Sequence, residues 1–214
     1  MATPQVGLRA TRNSIVNDSC QGLSYLKPAT LGLAAILALT PLPEAAGASS
    51  SELEAAQELY RQGFLAYREE DYARAAKLYK ESLQQAWTDT AAANLCNLRL
   101  YGQGVEQDYQ GALRLCRDAA AAGNLNAMVM LGEMNLHGLG ISTDEAKATE
   151  YYLLAAEQGH THAQLMAGLL SWDVGTPEAM QTAKEWLQQA DQGGHPEARS
   201  FLQRLEHELS NTFR

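Results

Sequence analysis

A repeat of about 36 residues constrains this chain more than any other feature. Ala91, Ala127, Ala163 and Ala198 stand 36, 36 and 35 residues apart, and other positions keep step with them. Leu131, Gly138, Gly140, Ile141, Asp144 and Ala148 meet Leu95, Gly102, Gly104, Val105, Asp108 and Ala112 on moving back 36 residues. Moving forward, Ala167, Gly168, Ala183, Leu187, Ala190 and Gly194 continue the series with one residue lost. A chain with such a period builds its core by stacking similar units, since one short unit buries too little apolar surface alone.

Within each period the apolar residues recur at three and four, over 127–137 and again over 145–157, with Gly138-Leu139-Gly140 between them. That pattern predicts two amphipathic helices joined by a turn. Gly159 and Gly194 fall where a helix end needs positive φ. Small residues at Gly132, Ala148 and Ala155 let helix axes approach, while Leu131, Tyr151, Tyr152 and Trp186 fill the space between them. The expected fold class is all-α, an α-solenoid of antiparallel helix pairs.

Residues 127–159 closely resemble the Sel1-like repeat family, a relative of the tetratricopeptide repeats. Residues 91–123 match well and 163–194 in part. Upstream, Gly63, Tyr72, Ala75 and Tyr79 resemble a shorter tetratricopeptide-type unit. The expected order is a leader over 1–48, a tetratricopeptide-like repeat over 53–88, Sel1-like repeats over 91–126 and 127–162, a degenerate one over 163–195, and a capping helix over 196–214. In that last helix Phe201, Leu202, Leu205 and Leu209 share one face. Departures from the family pattern are Arg99, Asn135 and Ser171, where it carries an aromatic residue. Val174-Gly175-Thr176-Pro177 also replaces the Gly-x-Gly turn.

The leader reads as a secretory signal. Arg9, Arg12 and Lys27 precede an apolar run over 29–39, then Pro41, Pro43 and Ala46-Gly47-Ala48. The run is shorter than the roughly 20 residues a membrane-crossing helix needs. Cleavage between Ala48 and Ser49 is the expected outcome, with a retained anchor as the alternative. The expected location is periplasmic or secreted, and Cys20 would leave with the leader. Beyond residue 48 the chain has 13 Lys+Arg against 23 Asp+Glu, a balance of −10. Nucleic acid is therefore an unlikely class of partner, because a phosphate-binding surface needs clustered cations.

By the resemblance, Cys96 and Cys116 face one another across a helix hairpin. Two readings stay open: a disulfide in an oxidising compartment, or two buried thiols acting as small apolar residues. His160 and His195 occupy one repeat position, where another unit has Asn124, and read as turn residues; His162 and His207 complete no metal-ligating set. No nucleophile elbow or phosphate-binding glycine loop is present in the sequence. No cofactor, metal or catalytic residue is expected.

The tetratricopeptide geometry implies a concave face lined by the first helix of each unit. It assigns Tyr60, Phe64 and Tyr67, then Asn97 and Leu100, then Val129, Glu133 and Leu136, then Leu165, Leu169 and Trp172. That mostly apolar and aromatic strip suits a peptide or helix. The expected function is an exported adaptor mediating protein–protein interaction in a cell-envelope complex. The alternative is a weak hydrolase or binder of cell-wall-like, β-lactam-type compounds, which some members of the family suggest.

Overall fold

The structure is a computed structural model, which describes residues 48–212. Residues 1–47 of the expected leader, with Cys20 and its basic and apolar stretches, lie outside the described residues. Among the described residues there is no strand, and no helix is long and apolar enough to cross a membrane. The fold class is all-α, an α-solenoid of antiparallel helix pairs. The helices are α1 (Ser50–Arg68), α2 (Tyr72–Gln85), α3 (Asp89–Tyr101), α4 (Tyr109–Ala121), α5 (Leu125–His137), α6 (Glu145–Glu157), α7 (Thr161–Val174), α8 (Pro177–Gln192) and α9 (Ala198–Thr212). They fall into two compact units, α1–α5 and α6–α9, divided between Thr143 and Asp144.

The repeat is visible first in the caps. Thr88, Asn124 and His160, spaced by 36, each accept a hydrogen bond from the backbone N–H three residues on, at Ala91, Ala127 and Ala163. The second helices of the first three pairs start on Asp71, Asp108 and Asp144, which accept from Arg74, Gly111 and Lys147. The short Thr, Asn and Asp side chains among these caps satisfy an otherwise orphan helix-end donor, each worth about 1 kcal/mol. The reading of His160 as a turn residue thus acquires a definite role as a helix cap. Gly159 and Gly194 do take positive φ, 87° and 83°.

In the first unit, α1 and α2 close on Gly63. A Cβ there would lie 2.8 Å from the Tyr79 ring, so the ring fills the space that glycine leaves. Tyr79 is fully buried among Ala66, Ala75, Ala76, Leu95 and Leu98. The buried Ser82 hydroxyl donates to the carbonyl of Ala56 at 2.7 Å, tying the far end of the hairpin. One pair further on, α3 and α4 close on Cys96 and Cys116, joined as a disulfide with Cα atoms 5.6 Å apart and both residues fully buried. Of the two readings left open by the sequence, the structure carries the bridge.

The loops of this unit lock one pair to the next. Gly104 has φ +68°, and a Cβ on it would meet the backbone N of Ala73 at 2.2 Å. The second glycine of Gly102-Gln103-Gly104 therefore lies directly on the start of α2. Gly140 sits in the same way against Tyr109 at the start of α4, and Gln110 donates its side-chain amide to the Gly140 carbonyl at 2.5 Å.

The second unit uses the same logic with less covalent help. Gly168 of α7 meets Leu187 of α8, whose Cγ would stand 2.9 Å from an added Cβ. The α7–α8 loop is only Gly175 and Thr176. Helix α9 packs against α8, burying Phe201 and Leu205, with Lys184 paired to Glu206 at 2.9 Å and Arg199 to Asp191 at 3.1 Å. These exposed pairs set register more than stability.

Candidate protein-binding face

On α1, a 100° advance per residue puts Leu53, Tyr60, Phe64 and Tyr67 on one stripe. Two of these rings are anchored. Tyr60 packs on Tyr79, with centroids 5.7 Å apart, and Tyr67 meets Tyr72 edge-on at 5.3 Å. Phe64 lies between them and is 44% exposed. It is an aromatic ring held on a rigid helix with its outer face in water.

The stripe continues onto α3, where Asn94, Asn97 and Tyr101 are spaced three and four apart. The Asn94 amide donates to the Tyr60 hydroxyl at 3.4 Å. Asn97 is half-buried, and Tyr101 is 47% exposed. Its hydroxyl donates to the carboxylate of Glu133 on α5. Partial burial, reinforced by that carboxylate, pushes the Tyr101 phenol above its ordinary range, so the ring stays a neutral donor at physiological pH. Of the residues that the sequence assigned to this face within 48–143 and that keep some exposure, Phe64 is exposed, while Tyr60, Tyr67, Asn97 and Glu133 are partly buried, the two tyrosines against the core. Asn94 and Tyr101 were missed; their spacing of three and four from Asn97 was the available signal.

Six other assignments to this face need correction. Leu100 is 1% exposed, Val129 7%, Leu136 7%, Leu165 2%, Leu169 8% and Trp172 3%. Much of the interior is lined by alanine, so the larger side chains of the first helices are the ones that fill it. On α3, Leu100 sits about 120° round the helix from Asn94 and about 100° from Tyr101, off the stripe. Trp172 donates its indole N–H to Glu208 of α9 at 3.2 Å, which ties it to the capping helix. None of these six is an open partner contact.

The histidines gather in part. His162 Nδ1 and His195 Nε2 are 3.3 Å apart with rings stacked at 5.5 Å, and His160 caps α7 nearby. Burial first, then the charge of His162, push His160 and His195 below the ordinary histidine value. Among the described residues no group of three or more His, Cys, Asp or Glu is placed to hold a metal.

Comparison with known proteins agrees with this architecture. The Sel1 repeat model matches residues 49–86, 90–124, 125–160 and 161–195. The first of these overlaps the stretch over 53–88 read from sequence as tetratricopeptide-like. The chain is 28% identical over 156 residues to an exopolysaccharide production negative regulator of Rhizobium leguminosarum bv. viciae, covering 66% of this chain and 58% of the relative. It is 26% identical over 193 residues to the Rhizobium meliloti protein of the same name, covering 81% and 71%. Mouse protein sel-1 homolog 2 matches at 34% over 102 residues, 44% of this chain and 15% of that one. The chain thus spans only part of each of these relatives. Among solved structures, a Sel1 repeat protein from Oxalobacter formigenes superposes with TM-score 0.63 at 26% identity, covering 69% of this chain and 60% of that one. A protective antigen of uropathogenic Escherichia coli gives 0.66 at 25% identity, covering 74% and 35%. With four matched repeats spanning well over half its length, the chain belongs to the Sel1 repeat family.

Proposed function

We propose that the chain is an exported adaptor that binds a protein partner of a cell-envelope complex through the first-helix face of residues 48–143. Sel1 repeats generally mediate protein–protein interaction and form a scaffold that is not typically enzymatic. One observation carries the reading: Phe64, nearly half exposed, stands on the α1 stripe between the anchored rings of Tyr60 and Tyr67. Aromatic anchors with pre-set rotamers lose little entropy on binding and dominate the energy of such interfaces. The basic-then-apolar leader and the bridged Cys96–Cys116 pair support export, since disulfides persist mainly in oxidising compartments. The two rhizobial relatives named as regulators of exopolysaccharide production support a link to an envelope process.

The test is crosslinking in the native envelope with a tag after Arg214, followed by mass spectrometry. The expected result is a defined partner linked to α1 and α3, on a chain beginning at Ser49. Phe64→Ala should reduce its recovery at least tenfold with the thermal melt unchanged, because the ring contributes little to the core. Recovery of the same partner from Phe64→Ala at wild-type yield would overturn this assignment of the face.

A further inference from the structure

A second surface of the first unit has different chemistry. Between α2, α3 and the loop after α3 lies an open cleft of about 640 Å³, lined by Ala73, Ala76, Lys77, Lys80, Leu95, Arg99 and residues 105–108. Its floor is apolar, from Ala73, Ala76, Leu95 and Val105, and three cations, Lys77, Lys80 and Arg99, stand around it against two acids, Glu106 and Asp108. In a chain of net charge −9 that leaves the cleft with a small positive excess.

These cations are only partly neutralised. Among the described residues Lys80 has no ion-pair partner, and Lys77 reaches Glu81 only at 3.9 Å across an exposed helix face. Arg99 is the informative one. Its side chain is 30% exposed, and its Nη1 is 3.8 Å from the Asp108 carboxylate, beyond hydrogen-bond distance. The other oxygen of Asp108 is occupied in accepting from the Gly111 N–H at 2.8 Å. The guanidinium lies over Gly111, where a Cβ would fall 2.8 Å from Nη1. One repeat later the same two positions are Asn135 and Lys147, so this arrangement belongs to the second repeat and is no general requirement of the helix hairpin. Glu106 and Asp108 oppose the three cations and keep the cleft from being a strong polyanion site.

We infer that the cleft between α2 and α3 is a docking site for an acidic peptide segment of a protein partner, with Arg99 and Lys80 receiving its carboxylates. A glutamate side chain matches the lining, with methylenes for the apolar floor and a planar carboxylate for the guanidinium fork. The site is separate from the Phe64 face, and the two assignments fail independently.

The probe is a blocked, fluorescently labelled hexaglutamate peptide, with hexaglutamine as control, titrated by anisotropy against the protein beginning at Ser49. Hexaglutamate should bind and hexaglutamine should not, with affinity falling as salt rises from 50 to 200 mM. Arg99→Gln should weaken binding about tenfold, the scale of one charge-assisted hydrogen bond. Arg99→Lys should restore part of it, and Lys80→Gln should cost about threefold. Glu106→Gln should tighten binding by removing a like charge, while Arg117→Gln, at an exposed cation of α4 outside the cleft lining, should change nothing. Melting curves establish that each variant is folded. Equal affinity of wild type and Arg99→Gln, or no binding of hexaglutamate at millimolar concentration, would sink the proposal. Displacement of the peptide by an equal concentration of inorganic phosphate would also overturn it, in favour of a small-anion site.

Discussion

In the α3–α4 hairpin the first-helix residue that faces the second helix is Cys96, bonded to Cys116, and seven residues form the loop. In the α7–α8 hairpin the corresponding pair is Gly168 and Leu187, unbonded, and the loop has two residues. The helices approach closely in both. One hairpin gains this from a covalent bond and a long loop that reaches back to lock the previous pair. The other gains it from a missing side chain, a leucine that fills the space, and a short connection with little loop entropy to lose. A repeat therefore conserves a spacing between helices, and the chemistry that sets the spacing is free to differ.

The loops offer the sharpest way to break that comparison. Gly104 and Gly175 both have positive φ, +68° and +74°. An added Cβ at Gly104 strikes backbone at 2.2 Å, whereas at Gly175 the nearest atom is 3.9 Å away. Gly104→Ala should cost roughly 3–5 kcal/mol, the left-handed backbone penalty plus forced separation of α2 from the loop. Gly175→Ala should cost about 1–2 kcal/mol, the backbone penalty alone. Urea denaturation of the two variants measures the difference directly, and equal losses would show that the loop does not lock the preceding pair.

The bridge comes next. Replacing both cysteines, Cys96→Ala with Cys116→Ala, should cost about 3 kcal/mol for a loop of this length. Grafting the other hairpin's solution, Cys96→Gly with Cys116→Leu, should lose less, because leucine refills the gap. A graft less stable than the alanine pair would mean that the two hairpins do not share one spacing. Gly168→Ala should then cost about 1–3 kcal/mol, since the added Cβ meets Leu187 Cγ at 2.9 Å and the Ala183 carbonyl at 3.3 Å and the leucine must shift.

The smallest effect is pH dependence confined to the second unit. His160 and His195 are held below their ordinary value, so the folded chain prefers them neutral and the unfolded chain binds more protons below neutrality. Their contribution is complete above about pH 6.5 and is lost as the pH falls from there through the folded values. Melting curves at pH 7.5 and 5.0 should show an acid loss that shrinks in His160→Asn/His195→Asn. Asn124 already performs the capping job of His160 in another repeat, at 3.0 Å, so the cap survives the substitution. An undiminished acid loss would move the cause to other groups.

The architecture was legible because its determinants are local and recur. Alanines 36 apart, glycines at forced turns and capping residues at fixed offsets each follow from helix geometry, and the period repeats every one of them. The candidate face was legible only by half. Tyr60, Phe64 and Tyr67 stand on the first helix of the first pair, with the outer stripe of that helix partly open to water. Trp172 and Leu169 obey the same periodicity but are buried. Periodicity gives the angle of a side chain about its own helix and says nothing of what packs against it.

The sequence by itself determined the helix pairs, their caps, their turns and the positions where helices must approach closely, since each depends on residues within a few turns of one another. Tertiary structure decided which aromatic rings remain open, that Cys96 and Cys116 meet at bonding distance, and that Arg99, Lys77 and Lys80 border one cleft. Those outcomes depend on distances between helices far apart in the chain, and only packing sets them.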